Sequence, residues 1–344
     1  MATTDIVIDM GSKKTVLYSG GKIVLERPSV VTVDTDTWEP IYFGEKALAT
    51  VGRTPLSLTP VFPIQHGVIA DYDIAEIMLK TYMSEAFGNR IVKPKVMITM
   101  PPGVTEMQHH SVSDVAEEAG GRNASTIESP LASALAFNID FSSPKGAMVI
   151  DIGAGTTDIA TLSMGGIVAC DSFKTAGNDF DESIIRYVRK VHNILIGPST
   201  AEQIKIKIAS AIPHKFEIAV KAKGRHIKTG LPTMFEITSL EIYEAISDQC
   251  ISILNGIRKV LEKTEPDIVA DIMSDGIYLT GGSSKLNNLD TFLKNMIKTE
   301  IHLCEEPEYS AVKGAAIALQ KPELLENTDY LYRSIQELKI DLGN

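Results

Sequence analysis

Two stretches of the chain follow one order: an apolar run, an aspartate, a turn of small and hydroxyl-bearing residues, and a second apolar run. The first is Ile6-Val-Ile-Asp9-Met-Gly11-Ser-Lys-Lys-Thr15-Val-Leu, and the second is Met148-Val-Ile-Asp-Ile-Gly-Ala-Gly-Thr-Thr-Asp158 continuing into Ile159-Ala-Thr-Leu162. Both read as buried strands joined by a hairpin turn. Both copies then reach a Gly-Gly pair, Gly20-Gly21 and Gly165-Gly166, and an Ile-Val, which follows at once in the second copy and after Lys22 in the first. A repeat at this spacing predicts two similar lobes facing each other.

Each turn suits an anion. Glycine lets a backbone approach closely, successive amides point at one charge, and the hydroxyls of Thr156 and Thr157 add donors. Asp151, at the end of its strand, is well placed to hold magnesium through water. A Gly-rich hairpin is common without phosphate, so one copy alone carries little; two copies make a nucleoside triphosphate in a shared cleft the economical reading. Gly276-Ile-Tyr-Leu-Thr280-Gly281-Gly282-Ser283-Ser284 is a third glycine turn after an apolar strand, suited to a phosphate or an adenosine.

At 344 residues the chain exceeds one ordinary domain and can bury two cores. A net charge of −11 argues against a broad duplex-DNA footprint, so no nucleic-acid partner is expected. Cys170, Cys250 and Cys304 are far apart with no metal spacing, which fits a reducing compartment. No apolar run approaches the roughly eighteen residues a membrane helix needs. Met1-Ala-Thr-Thr leads straight into a strand, so no signal peptide is expected and the chain reads as cytoplasmic.

In chain order, 22–25 and 29–33 read as strands separated by Glu26-Arg-Pro28, completing a five-stranded mixed sheet of hairpins. Residues 34–58 read as a small insertion with a short helix at 45–51, after which three prolines keep the chain extended. A helix is predicted over 73–86 behind an Asp71 or Asp73 cap, a strand over 95–100, and a helix over 105–119 capped by Thr105. His109 and His110 are adjacent and point to different faces, whereas a metal pair wants i, i+4 spacing. The loop Phe87-Gly-Asn-Arg90-Ile-Val-Lys93 either dips into a bilayer surface or folds its apolar residues back on the core. A strand at 125–128 runs into a small-residue helix whose Pro130 suits a first turn. Helices are expected to open over 174–181, at Thr200 as a cap, over 239–262, and from Leu286 onward, with strands and loops of a second insertion over 207–236. The region 306–319 reads as helical and the last twenty or so residues as mixed, able to form an amphipathic helix.

These residues resemble the actin, sugar-kinase and heat-shock-chaperone ATPase superfamily, and within it the MreB family of bacterial actins. Arg27-Pro-Ser-Val-Val31, Val51-Gly-Arg-Thr-Pro55, Gly67-Val-Ile-Ala-Asp71, Asp151-Ile-Gly-Ala-Gly-Thr-Thr157, Leu195-Ile-Gly197, Thr200-Ala-Glu202-Gln-Ile-Lys205 and Leu279-Thr-Gly-Gly282 are similar to segments of that family in the right order. The resemblance implies an α/β, actin-like ATPase fold of two lobes, each with a five-stranded mixed sheet flanked by helices. It implies four subdomains: 1–30, 64–142 and 322–344 (IA), 31–63 (IB), 143–180 and 240–321 (IIA), and 181–239 (IIB). It further implies ATP or ADP with Mg2+ in the cleft, self-association into double protofilaments, and a role in cell shape. Paralogous bacterial actins become candidate partners, and the location becomes cytoskeletal, at most peripheral to the inner membrane face. The N-terminus looks too short for the amphipathic anchor helix of some relatives.

Carried over by residue, the first phosphate turn is Asp9, Gly11, Ser12, Lys13, Lys14 and Thr15. The second is Asp151, Gly153, Ala154, Gly155, Thr156 and Thr157, and the resemblance implies Asp9 and Asp151 near the magnesium. The adenosine pocket uses Gly177, Asp181, Glu202, Lys205, Gly281, Gly282 and Ser283; the alternative for Glu202 and Lys205 is a solvated i, i+3 pair. The family usually has Glu-Glu-Pro where this chain has Glu128-Ser129-Pro130, and the acid before the proline is the one expected to position the attacking water. Ser129 stands there. A hydroxyl cannot act as a carboxylate base, and losing a positioned base costs about a hundredfold to ten-thousandfold in rate. Glu128 is the alternative acid, but it is one residue away and points to a different face. The expected activity is therefore at most slow ATP hydrolysis to ADP and phosphate. Lys13-Lys14 for Ala-Asn, Lys174 for Arg, Asp158 for Glu and Ser283 for a third Gly are further departures around the same pocket. A chaperone-type ATPase, a small-molecule kinase and a plasmid-segregating actin are the rival readings.

Overall fold

The computed structural model describes residues 5–88, 92–140, 143–321 and 324. The first lobe opens with β1 (Ile6–Met10), β2 (Lys14–Ser19) and β3 (Lys22–Pro28), a meander in which Gly20 and Gly21 take the positive φ that the second turn requires. The chain stays in strand through Glu26 and Arg27, where sequence reading placed a gap, because Glu26 and Arg27 pair with Val16 and Thr15 of β2. Next come β4 (Val31–Asp34), β5 (Pro40–Phe43), α1 (Gly44–Leu48) and β6 (Leu58–Val61), a three-stranded insertion ordered β5-β4-β6. A two-stranded ribbon, β7 (Ile64–Gln65) and β8 (Val68–Ile69), returns the chain to the lobe.

Helix α2 (Tyr72–Phe87) starts at Asp71, whose carboxylate accepts the Ile74 amide at 3.1 Å. Strand β9 (Lys95–Met100) then lies parallel to β1. Helix α3 (Glu106–Glu118) opens with a reciprocal Thr105–Gln108 capping box, and β10 (Arg122–Glu128) completes a sheet ordered β10-β9-β1-β2-β3. Phe87 packs against this lobe's core, while residues 89–91 of the loop expected to meet a membrane lie outside the described residues.

Helix α4 (Ser129–Ala136) leads to the second lobe: β11 (Ala147–Ile152), β12 (Thr157–Ser163), β13 (Gly166–Phe173), α5 (Gly177–Val191), β14 (Ile194–Leu195) and α6 (Pro198–Ile208). Gly197 precedes α6 and Pro198 occupies its first turn, so Thr200 lies inside the helix and is not its cap. Strands β15 (Ala219–His226) and β16 (Pro232–Thr238) form an insertion with β14, and α7 (Ser239–Lys263) crosses the lobe. Then follow α8 (Pro266–Asp275), β17 (Ile277–Thr280), a 3-10 turn at Gly282–Lys285, α9 (Leu289–Ile297), β18 (Ile301–Leu303), a 3-10 turn at Pro307–Tyr309 and α10 (Ser310–Gln320). The second large sheet is ordered β13-β12-β11-β17-β18. Its meander, and the parallel strands beyond it, repeat the first sheet strand for strand.

Helices α4 and α10 join the lobes. Their small residues pack with Val7 and Val16 from the first sheet and Val149 and Ala160 from the second into one apolar cluster. The two helices meet backbone to backbone at Gly314, where a Cβ would fall 1.6 Å from the Ala132 carbonyl oxygen. The final residues, read as amphipathic, lie outside the described residues. Among the described residues no helix is long and apolar enough to cross a membrane.

Candidate nucleotide site

The β1–β2 and β11–β12 turns are closed by the same bond. The Gly11 amide donates to the Lys14 carbonyl at 3.1 Å, and the Gly153 amide donates to the Thr156 carbonyl at 2.9 Å. The turns face each other across the gap between the lobes. A Cβ on Gly155 would fall 2.3 Å from the Ser12 hydroxyl, so this approach requires glycine. Ser12 Oγ also accepts the Gly67 amide at 3.2 Å, and His66 Nδ1 lies 3.0 Å from the Gly155 carbonyl.

Around this meeting point is a cavity of about 590 Å³, a size that suits a small-molecule cofactor. Asp9, Gly11, Ser12, Lys13, Lys14, Ser129, Asp151, Gly153, Ala154, Gly155, Thr156, Gly177, Glu202, Lys205, Gly281, Gly282 and Ser283 all line it. Thr15, Thr157, Asp181 and Glu128 do not. Thr15 is buried against the Ser29 hydroxyl at 2.9 Å, and Thr157 donates to the Thr175 carbonyl at 2.7 Å. Neither hydroxyl is therefore offered to the cleft; only Thr156 of the expected pair reaches its wall. Asp181 stands behind the wall and holds Lys205 at 2.8 Å, while Lys205 also donates to the Gly177 carbonyl at 2.8 Å. Glu202 pairs with Lys13 from the other lobe, so the solvated Glu202–Lys205 alternative is not what forms.

The third turn locks onto the second. Gly281 takes φ +85°, and a Cβ there would meet Asp151 Oδ1 and the Ile152 carbonyl at 2.3 Å. Ser283 Oγ donates to the Gly153 carbonyl at 2.6 Å, and the Asn178 amide at the start of α5 donates to the Ala154 carbonyl at 2.8 Å. All three turns and a helix start are thus one hydrogen-bonded unit.

Three buried carboxyls sit beneath the turns. Burial raises the pKa of Asp9, which Thr99 moderates by donating to Oδ1 at 3.0 Å. Burial and the neighbouring Asp158 and Asp9 raise Asp151 well above the ordinary carboxyl value. Asp158 is pushed up to about 6 by burial, although Ser172 and Thr156 donate to it at 2.5 and 3.0 Å. None of the three is in an ion pair among the described residues. Buried, mutually repelling acids without a cation are suited to one supplied by a ligand. No group of three or more His, Cys, Asp or Glu among the described residues can hold a metal alone. The set is chemically suited to a divalent cation that would arrive with its own ligands, with Asp9 and Asp151 as the carboxyls nearest to hand.

Each cleft lysine already has an acid: Lys13 with Glu202, Lys14 with Glu26 at 2.8 Å, Lys205 with Asp181, and Lys285 with Glu308 at 2.6 Å. Lys14 also lies over the Tyr309 ring, whose hydroxyl donates to Glu26 at 2.7 Å. Sequence reading missed Glu26, Glu308, Tyr309, Lys285, His66 and Thr99. They come from strands, turns and a 3-10 segment with no motif of their own, and only the fold brings them to the cleft. Ser129 lines the cavity at the start of α4. Glu128 is buried outside it, where its charge bears on Cys170 of β13.

A duplicated pair of five-stranded sheets, hinged by two helices over facing glycine turns, defines an actin-like fold, and the solved structures agree. MreB5 of Spiroplasma citri bound to AMPPNP matches with a TM-score of 0.89 and 32% identity, over 94% of this chain and 98% of that one; MreB5 bound to ADP matches equally. The cell shape-determining protein Mbl of Bacillus cereus is 37% identical over 96% of this chain and 98% of its own length, and MreB of Escherichia coli is 35% identical over 93% and 94%. The MreB/Mbl protein family model matches residues 3–327. The chain belongs to the MreB/Mbl family.

Proposed function

We propose that the chain is an ATP-binding subunit of a cell-shape filament that hydrolyses its nucleotide slowly. The observation that carries this reading is the convergence of two identically closed glycine turns, one from each lobe, on a single cavity. Amides of Ser12 and Lys13 and of Ala154 and Gly155 hold the phosphates; Lys205 and Glu202 flank the sugar, and Gly281 to Ser283 the base. Magnesium, held through water by Asp9 and Asp151, supplies the positive charge that the paired lysines do not.

Because a ligand gripped by both turns favours the closed lobes, nucleotide state sets the surface offered to the next subunit. Double protofilaments are the assembly this reading expects, with subdomains bounded as the sequence reading places them. Slow turnover follows from Ser129: the hydroxyl at the cleft wall cannot polarise water as a carboxylate does, and Glu128 is turned elsewhere. Light scattering and electron microscopy with ATP, ADP and no nucleotide test the reading. Polymers that form with ATP support it; none under any nucleotide, salt or protein concentration overturns it.

A further inference from the structure

Tyr309 stands where the second lobe passes into the hinge helix α10, and its side chain reaches the first lobe. Its hydroxyl donates to Glu26 Oε2 at 2.7 Å, and Lys14 donates to Glu26 Oε1 at 2.8 Å, so one carboxylate is held by a residue from each lobe. The Lys14 ammonium lies 4.4 Å from the centre of the Tyr309 ring and closes the triangle. Burial pushes the Glu26 pKa up, but the bonds from Lys14 and Tyr309 outweigh it and hold the carboxyl below its ordinary value. The bond to Glu26, with burial, pushes the Tyr309 phenol up to about 12, which keeps it a donor near neutral pH.

Both ends of this triangle are fastened to turns that face the cleft. The Lys14 carbonyl closes the first glycine turn, and the Lys13 carbonyl accepts the Ser29 amide just beyond β3 at 3.0 Å. On the second-lobe side, the Pro307 carbonyl accepts the Gly281 amide and the Thr280 hydroxyl, each at 2.9 Å. A short run of bonds through Tyr309 and Glu26 therefore joins the first glycine turn to the third, along a stretch of cavity wall that Glu26 and Pro307 line.

We propose that Tyr309 is a positioning residue for the triphosphate: by tying β3 to the base-side turn, it holds the first phosphate turn over the cleft before a ligand arrives. The proposal rests on the nucleotide reading above, in which Glu202, Lys205 and Gly281 to Ser283, flanking sugar and base, all belong to the second lobe. The phosphates alone need amides from both lobes. A triphosphate then finds the turns already facing each other, and its binding energy is not spent on closing the lobes. Adenosine meets only the second lobe and gains nothing from the brace.

Tyr309→Phe tests this by removing one oxygen, while the ring stays against the apolar cluster between the lobes. The full chain, at a concentration that scatters no light, is titrated with ATP and magnesium by calorimetry and with adenosine by ligand-observed NMR. The variant is expected to bind ATP about three- to tenfold more weakly, because the lost bond is to a charged but partly exposed group. Its affinity for adenosine is expected to equal the parent's. In a Glu26→Leu background the same change should alter neither affinity, since the bond is already gone. No ATP binding by the parent sinks the nucleotide reading and the brace with it. ATP binding by the parent that Tyr309→Phe leaves unchanged sinks the brace alone. Equal weakening of ATP and adenosine, or a loss that persists without Glu26, also overturns the proposal, because Tyr309 would then only shape the second lobe.

Discussion

Lys13, on the first phosphate turn, is ion-paired with Glu202 on α6 of the opposite lobe. The pair spans the mouth of the cleft, so a bond between the lobes exists beside the site through which a nucleotide leaves. Both side chains are partly exposed, and water screens the pair to about 1 kcal/mol or less. Lys13→Ala and Glu202→Gln are each expected to speed nucleotide release about two- to fivefold, and high salt should do the same to the parent. Stopped-flow release of a fluorescent ATP analogue measures this; unchanged rates in both variants would assign the closure to the hinge alone.

The hinge has its own test. A methyl group at Gly314 overlaps the Ala132 carbonyl oxygen, and both partners are helix backbone, which cannot yield locally. Gly314→Ala should cost about 1–3 kcal/mol or more, whereas Gly166→Ala, with nothing within 4 Å, should change little. Thermal melts of the two variants side by side decide it.

Lys205 and Asp181 form a largely buried pair, and Asp181 Oδ1 has no hydrogen-bond partner among the described residues. Burial already raises the Asp181 pKa, with Lys205 opposing it. Lys205→Met strands that carboxyl and should destabilise the protein by about 3–5 kcal/mol, while Lys205→Met/Asp181→Leu should regain most of the loss. Denaturant unfolding of both variants provides the comparison.

Asp158 makes stability depend on pH with a definite sign. Its folded value of about 6 exceeds the ordinary 3.8, so the folded state holds the extra proton between those values. Its penalty is full above about pH 6, shrinks as pH falls, and is gone below about 4; it amounts to on the order of 3 kcal/mol. Asp158→Asn should therefore stabilise the nucleotide-free protein at pH 7.5 and have little effect at pH 4. Equal effects at both values would mean the carboxyl is not strained by burial.

The repeated strand, aspartate and glycine turn made the two sheets and their facing turns legible, because hydrophobic period and turn chemistry are local. The caps at Asp71 and Thr105 were readable for the same reason. Helix α8, which the sequence reading omits, carries a legible signal all the same, with Pro266 in its first turn and Ile268, Val269, Ile272 and Met273 at helical spacing, although only Ile272 is fully buried. Thr157 reads as a cleft residue beside Thr156, yet adjacent strand positions face opposite ways, and its hydroxyl turns to the Thr175 carbonyl. The bond from Tyr309 to Glu26 joins residues 283 positions apart, and no window of sequence contains it. Lys13 meets Glu202 only where the two lobes come together, and Lys14 meets Glu26 only once β2 and β3 pair, which is why neither ion pair is legible in the local sequence.

The central claim is that this cleft grips a triphosphate but lacks the acid that aims water at it. Phosphate release in a single turnover, measured beside ATP affinity for the parent and for Ser129→Glu, tests both halves at once. The account predicts similar affinity and release faster by about a hundredfold in the variant. Equal or slower release from a variant that still binds ATP, or no ATP binding by the parent, would contradict it.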